Sequence, residues 1–316
     1  MQISGGIQLS GGLNLAPGGG SGGSPSVSFG YTSGGYAPTS PAPTYVDNII
    51  QKFSFSTDGN ATDVGDLTVG RKWTCGQSSS ESGYTSGGGN PGRVDTIDKF
   101  PFSSDGNATD VGDLSVGKVK ASGQSSSDNG YVSGGTSNNY EKRVDKFSFA
   151  SDDNATFMGD LIETVNDSEG QSSADNGYVS GGKNQSTTLE VNIIQKFPFA
   201  SDDDSTDVGD LTLARDGVSG QSSTTYGYAS GGSPNVIIID KFPFASDSNA
   251  TDVGDLLNTK GNASGQSSAV SGYVSGGGGD PSSWNMIQKF SFTTDGNSTD
   301  VGDLLGTSFY AAGQQG

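Results

Sequence analysis

The sequence predicts an all-β protein, a β-propeller of six four-stranded blades, and three repeated markers predict it. A segment of the form KFxF…GDL, written KFSFSTDGNATDVGDL at its first occurrence, begins at Lys52, Lys99, Lys146, Lys196, Lys241 and Lys289. A second marker, GYxSGG, places tyrosines at Tyr31, Tyr84, Tyr131, Tyr178, Tyr228 and Tyr273. A third, GQSS, begins at Gly76, Gly123, Gly170, Gly220 and Gly265, with a worn copy, GQQG, at Gly313. From the first Phe of each KF pair to the next GQ is always 23 residues, and from that Gly to the following Tyr always 8. Only the stretch from Tyr to the next KF Phe varies, so all length variation falls in one loop per repeat. That is the mark of a repeat architecture.

Each repeat reads as four short strands. GQSS with its neighbours is the first, GYVSGG the second, IxKFxF the third and ATDVGDL the fourth. The segment between third and fourth is rich in Asp, Asn and Gly, which tolerate the positive φ of hairpin turns. No stretch sustains a helical period. Four strands per unit and six units are the arithmetic of a six-bladed propeller.

Composition narrows the function. The chain has 316 residues, 30% hydrophobic content, 52 Gly and a formal charge of -19. Taken alone those values lean toward disorder, but a Phe pair and a Tyr held at fixed offsets overturn that reading. Histidine is absent and Cys75 is the only cysteine, so no disulfide framework or zinc constellation is expected. Cys75 reads as a small core filler. The acidic balance argues against nucleic acid as a partner, and no apolar run is long enough to span a membrane.

The order of strands, with one ending in Gly-Gly before one carrying a large aromatic, resembles a kelch-type blade over roughly residues 30–316. It departs from that pattern by lacking the usual Trp in the fourth strand. The repeat wording IDKFPFASDxNATDVGDL…SGQSS…GYVSGG is similar to repeats in virion structural proteins of marine cyanophages and related tailed phages. That resemblance implies a component of an extracellular virion, a tail or capsid appendage.

Repeat counting begins at a second strand, at Tyr31, and ends on a first strand at residues 312–316. The last strand is therefore expected to complete the first blade; GSPS at Gly23 is the rival for that place. Residues 1–15 differ from the ring. Their odd positions from Ile3 to Leu15 read Ile, Gly, Ile, Leu, Gly, Leu, Leu, a strand with one apolar face. Residues 16–29 form a Gly/Ser/Pro linker. A plain tail is one reading. The other, which the alternation favours, is an anchor that joins another virion protein's sheet and buries Ile3, Ile7, Leu9, Leu13 and Leu15.

Catalysis is not expected. Without histidine there is no imidazole copper site and no Ser-His triad, and nearly every Asp belongs to the repeat. The Asp58, Asn60, Asp63 and Asp66 cluster invites a calcium reading, but it lacks the DxDxDG order, and the third repeat has Phe157 in place of Asp63. Those side chains are expected to cap the turn and bond neighbouring backbone N–H groups. No cofactor and no metal are expected.

Function should lie where the repeats disagree. The loops from second to third strands and from fourth strands to the next blade emerge on one face of a propeller, and these are the divergent segments. They carry Tyr36, Tyr45, Arg71, Trp73, Arg93, Tyr140, Lys142, Arg143 and Trp284, the residue types that anchor interfaces. This face is expected to bind a partner protein or a host-surface glycan or protein. A carbohydrate-binding lectin is the alternative, though a lectin repeats its ligand-contacting aromatics in several blades and these loops do not. The repeated Phe53 and Phe55, Phe100 and Phe102, Phe147 and Phe149, Phe197 and Phe199, Phe242 and Phe244, and Phe290 and Phe292 are expected to pack between blades.

Overall fold

A computed structural model describes residues 28–37, 46–139, 141–234 and 236–316. The anchor residues Ile3, Ile7, Leu9, Leu13 and Leu15, the linker up to residue 27, Tyr45 and Tyr140 lie outside them. Six four-stranded antiparallel sheets form the ring. Blade 4 shows the plan, from axis to rim: Glu169–Ser172, Asn176–Ser180, Ile193–Pro198 and Thr206–Asp210. Blade 1 is built from both ends of the ring, its strand Ala312–Gln315 pairing with Phe29–Tyr36. That ring strand starts at Phe29, one residue before the expected boundary.

The repeated aromatics work in trios. Gly177 sits opposite Phe197 in the register of blade 4, and a Cβ at Gly177 would lie 2.3 Å from the Phe197 ring. Only glycine leaves room for the ring to lie flat on its own sheet. The following Tyr178 reaches the next blade, tilting on Phe242 at 5.6 Å and stacking on Phe244 at 4.8 Å. The same contact closes the ring, with Tyr273 of blade 6 stacked on Phe55 of blade 1 at 4.4 Å. Such pairs add about 0.5–1.5 kcal/mol beyond their buried area.

The first Phe of every pair is buried: Phe53, Phe100, Phe147, Phe197, Phe242 and Phe290. Of the second set, Phe55 is buried, while Phe102, Phe149, Phe199, Phe244 and Phe292 are half-buried. These lie beside the outward turns, where one ring edge meets water. Phe197→Ala should therefore cost about 3–5 kcal/mol, and Phe199→Ala roughly 1–2 kcal/mol in proportion to its smaller burial. Urea midpoints at constant slope will show the difference, and equal losses would contradict this packing.

GQSS builds the axis. The first strands stand so close that a Cβ at Gly123 would lie 2.1 Å from the carbonyl oxygen of Gly76, and the other GQ glycines meet their neighbours alike. Each Gln donates its side-chain amide to the Tyr carbonyl of the next blade, as from Gln77 to Tyr131 at 3.2 Å and from Gln314 to Tyr84 at 2.9 Å. The first Ser then forms a closed ring. The N–H groups of Ser78, Ser125, Ser172 and Ser222 donate to the Ser Oγ of the next blade, Ser267 to Gln315 Oε1, and Gln315 back to Ser78 Oγ. The worn copy GQQG is thus a working one, because a Gln oxygen accepts what a Ser oxygen accepts elsewhere.

The Asp-rich turns join blades as well as capping themselves. Asp63 takes the Gly65 N–H as expected, at 3.1 Å. Asn60, by contrast, accepts from the Asp303 N–H of blade 6 at 3.0 Å, and Asp58 pairs with Lys289 at 3.1 Å. All six KF lysines make this pair with the neighbouring turn. Exposed pairs of this kind contribute about 0–1 kcal/mol each.

Candidate binding face

The loops from second to third strands and the links from fourth strands to the next blade lie together. Two-residue ladders join Val165–Asn166 to Lys183–Asn184 and Lys260–Gly261 to Gly278–Gly279, and single bridges join Tyr36 to Phe309, Lys72 to Gly89, Val119 to Thr136 and Asp216 to Ser233. One residue per blade, three before each GQ, adopts positive φ: Trp73, Lys120, Asp167, Gly217, Asn262 and Tyr310. Their backbones form a closed hydrogen-bonded ring. Trp73 N–H donates to Tyr310 O, Lys120 to Trp73, Asp167 to Lys120, Gly217 to Asp167, Asn262 to Gly217, and Tyr310 to Asn262, at 2.7–3.2 Å. Closing that ring requires a left-handed turn, which costs a non-glycine residue about 1 kcal/mol or more. The backbone is uniform here and the side chains are all different.

Aromatic side chains gather over blades 6, 1 and 2. Trp284 meets Phe309 at 5.1 Å, Phe309 meets Tyr36 at 6.4 Å, and Trp73 meets Tyr310 at 5.8 Å. Lys72 joins the two groups, its ammonium 4.5 Å from the Tyr36 ring and 4.2 Å from the Trp73 ring. The structure thus brings Tyr36, Trp73 and Trp284 together and adds Phe309, Tyr310 and Lys72, which the loop-by-loop reading missed. Reading the column three before GQ would have found Tyr310.

The basic candidates fall elsewhere. Arg93 is exposed and donates to Asn138 Oδ1 at 3.4 Å; Lys142 is exposed and donates to the Ile162 carbonyl at 2.6 Å. Arg143 lies over the Phe157 ring at 4.7 Å. Arg71 is a correction: it is buried, with Nη1 donating to Asp98 at 2.8 Å and Nη2 to the Thr85 carbonyl at 2.9 Å. It holds the link between blades and presents no charge to a partner.

That buried pair belongs to a column, five before each GQ, matched to the third-strand residue before each KF lysine. Arg71 pairs with Asp98, Lys118 with Asp145 and Arg215 with Asp240. Where the third strand has Gln51 or Gln195, the column has Ser308 or Val165. Lys260, facing Gln288, is the exception. Its ammonium donates to the Ser283 carbonyl, and burial pushes it down to about 8.

Five of the six links carry one solvent-facing aliphatic and the sixth a half-buried one. Val69, Ile162, Leu213, Leu257 and Leu305 are 41–55% exposed, and Val116 is half-buried. In the Asp links, the residue after the fourth-strand Leu is Thr68, Ser115 or Thr212, whose hydroxyl donates to the buried Asp at 2.5–2.7 Å. There the aliphatic sits one position later. In the Gln links no hydroxyl is needed, and Ile162, Leu257 and Leu305 take that position directly. The aliphatic shifts by one residue and is kept.

The basic residues divide along the ring axis. Of the 16 Lys and Arg, six are the KF lysines beside the turns, and all the others lie on the loop and link segments. Most of the 35 Asp and Glu lie in the turns and fourth strands. The last Asp of each fourth strand stands opposite the loop-side start of the third, as Asp160 does opposite Arg143, so both ends of the ring are acidic. No protein-family model matches this chain, and comparison with curated proteins finds no match.

Proposed function

We propose that the chain is a non-enzymatic display module of a tailed-phage particle, tethered through residues 1–15 and docking a protein partner or host-surface ligand with its loop face. The carrying observation is the aliphatic kept at every link. Single exposed apolar side chains need no explanation, but an aliphatic in every link, exposed in five of the six and kept in kind while its position shifts, is not required by the fold. Docking supplies a requirement. An aromatic- and aliphatic-bearing face suits desolvation on contact. The likeness of the repeat wording to marine phage virion repeats supports the particle as the setting, and the lack of a repeated aromatic subsite disfavours the lectin alternative.

The test is incorporation into purified particles, read by mass spectrometry. Removing residues 1–20 should leave a folded ring that is absent from particles. Leu213→Glu with Leu257→Glu, both on exposed positions, should leave the ring folded and incorporated but unable to hold its face partner. A ring lacking residues 1–20 that still incorporates at normal copy number would place attachment on the ring itself.

A further inference from the structure

The axial opening of the loop face leads into a cavity of about 50 Å³, lined by residues of all six blades, with Trp73, Lys120, Asp167 and Tyr310 at its mouth. Inside it lies Glu169. The equivalent positions in the other blades hold small residues: Cys75, Ser122, Ser219, Ser264 and Ala312. The three serines fasten their blade to the next link, Ser122 to Ser168 Oγ at 2.8 Å, Ser219 to the Ala263 carbonyl at 3.0 Å and Ser264 to the Ala311 carbonyl at 2.9 Å. Blade 4 replaces that fastening hydroxyl with a carboxylate whose stem lies against Gly220 of blade 5. Among the described residues no lysine or arginine pairs with it. Thr74, which lines the same cavity from the link into blade 2 and is nine-tenths buried, leaves its hydroxyl without a hydrogen-bond partner.

We propose that this cavity binds a single small cationic head group of the ammonium class, with Glu169 as its counter-charge. A cavity holds one water from about 10–15 Å³ upward, so about 50 Å³ leaves room for a small head group. Charge selects the sign. Lys120 at the mouth is already neutralised by Asp167 at 2.7 Å, and Lys118 and Arg71, near Cys75 across the channel, are paired with Asp145 and Asp98. Asp216 lies near Asp167 and adds negative charge, offset in part by Lys183. Glu169 is half-buried, accepts from the Gly170 N–H and is left without a cation, and a carboxylate drawn out of water either finds one or stays protonated. Burial pushes its carboxyl up to about 8, so in the empty protein it holds its proton at neutral pH. At the mouth the Trp73 ring already carries the Lys72 and Lys120 ammonium groups, at 4.2 and 5.9 Å, so the attraction for a further cation comes from Glu169 below them. The ammonium can come from a partner's lysine or from a free amine. The site lies at the centre of the docking face and so rests in part on that reading.

The experiment uses the full chain and two probes, methylammonium chloride and Nα-acetyl-lysine methylamide, titrated by calorimetry against sodium chloride at equal ionic strength. Saturable binding should strengthen about tenfold per pH unit as pH rises toward 8 and level off above it, because the cation displaces the Glu169 proton. Tighter binding of the lysine derivative assigns the site to a partner side chain; tighter binding of methylammonium assigns it to a free amine. Glu169→Ser copies the residue of three other blades and should fold normally while losing both the binding and its pH dependence. Absence of binding at pH 8.5, or equal binding by Glu169→Ser, overturns the proposal. In that case, loss of the partner by the Leu213 and Leu257 variant would leave the docking face standing, and retention would remove both.

Discussion

Asp240→Ala is expected to lower the unfolding free energy by about 3–5 kcal/mol. The loss comes less from the ion pair than from what remains. Arg215 is fully buried and would keep its charge with only the Ala229 carbonyl, at 3.0 Å, and a distant Leu213 carbonyl to accept from it. The Thr212 N–H and hydroxyl, which donate to Asp240 at 3.0 and 2.7 Å, would also lose their acceptor. Blade 4 shows the remedy, because Val165 and Gln195 occupy the same two positions without any charge. Gln195 still accepts from a link N–H, that of Glu163 at 3.1 Å. Arg215→Val combined with Asp240→Gln should therefore recover most of the loss and come within about 1–2 kcal/mol of the parent, since apolar replacement of a buried pair is often neutral. Urea unfolding of the parent, the single and the double variant decides it. A double variant no more stable than Asp240→Ala would mean that the two blade types are not interchangeable.

The ring was legible because its constraints are local and repeated. Phe197 needs Gly177 opposite it and Phe242 needs Gly227, so the spacing between markers could not drift without losing a contact. Blade count, strand order and closure all follow from that register. The candidate face was only half legible. Tyr36 and Phe309 touch across most of the chain length, and no pattern in either loop announces the other. Arg71 was misplaced for a similar reason, as a surface and a buried arginine look alike until Asp98 is seen beside it. Columns counted back from GQ would have helped: five before, the basic residue tracks the third-strand Asp, and three before, the axial ring appears. Glu169 stands out in the column directly before GQ, where every other residue is small.

Removing residues 312–316 should abolish cooperative folding. The strand Ala312–Gln315 is the axial strand of blade 1, and without it Gly30 to Ser33 lose their inner ladder partners. Three rings break at that point. Gln314 no longer donates to the Tyr84 carbonyl at 2.9 Å, Gln315 no longer links Ser267 to Ser78, and Gly313 no longer packs between Gly265 and Gly76. Each buried donor or acceptor left without a partner costs about 1–3 kcal/mol. Half a dozen such groups match the roughly 5–15 kcal/mol that holds a typical domain together. The neighbouring blades would feel the gap directly, because blades 2 and 6 each bond to this strand. A peptide of residues 310–316 supplied in excess should restore the folded ring, with a melting temperature that rises with peptide concentration, since it binds only the folded state. Circular dichroism melts of the truncated chain, alone and with peptide, make the measurement. A truncated chain melting within a few degrees of the parent, and indifferent to peptide, would show that GSPS at Gly23 takes the axial place and that the ring closes from its other end.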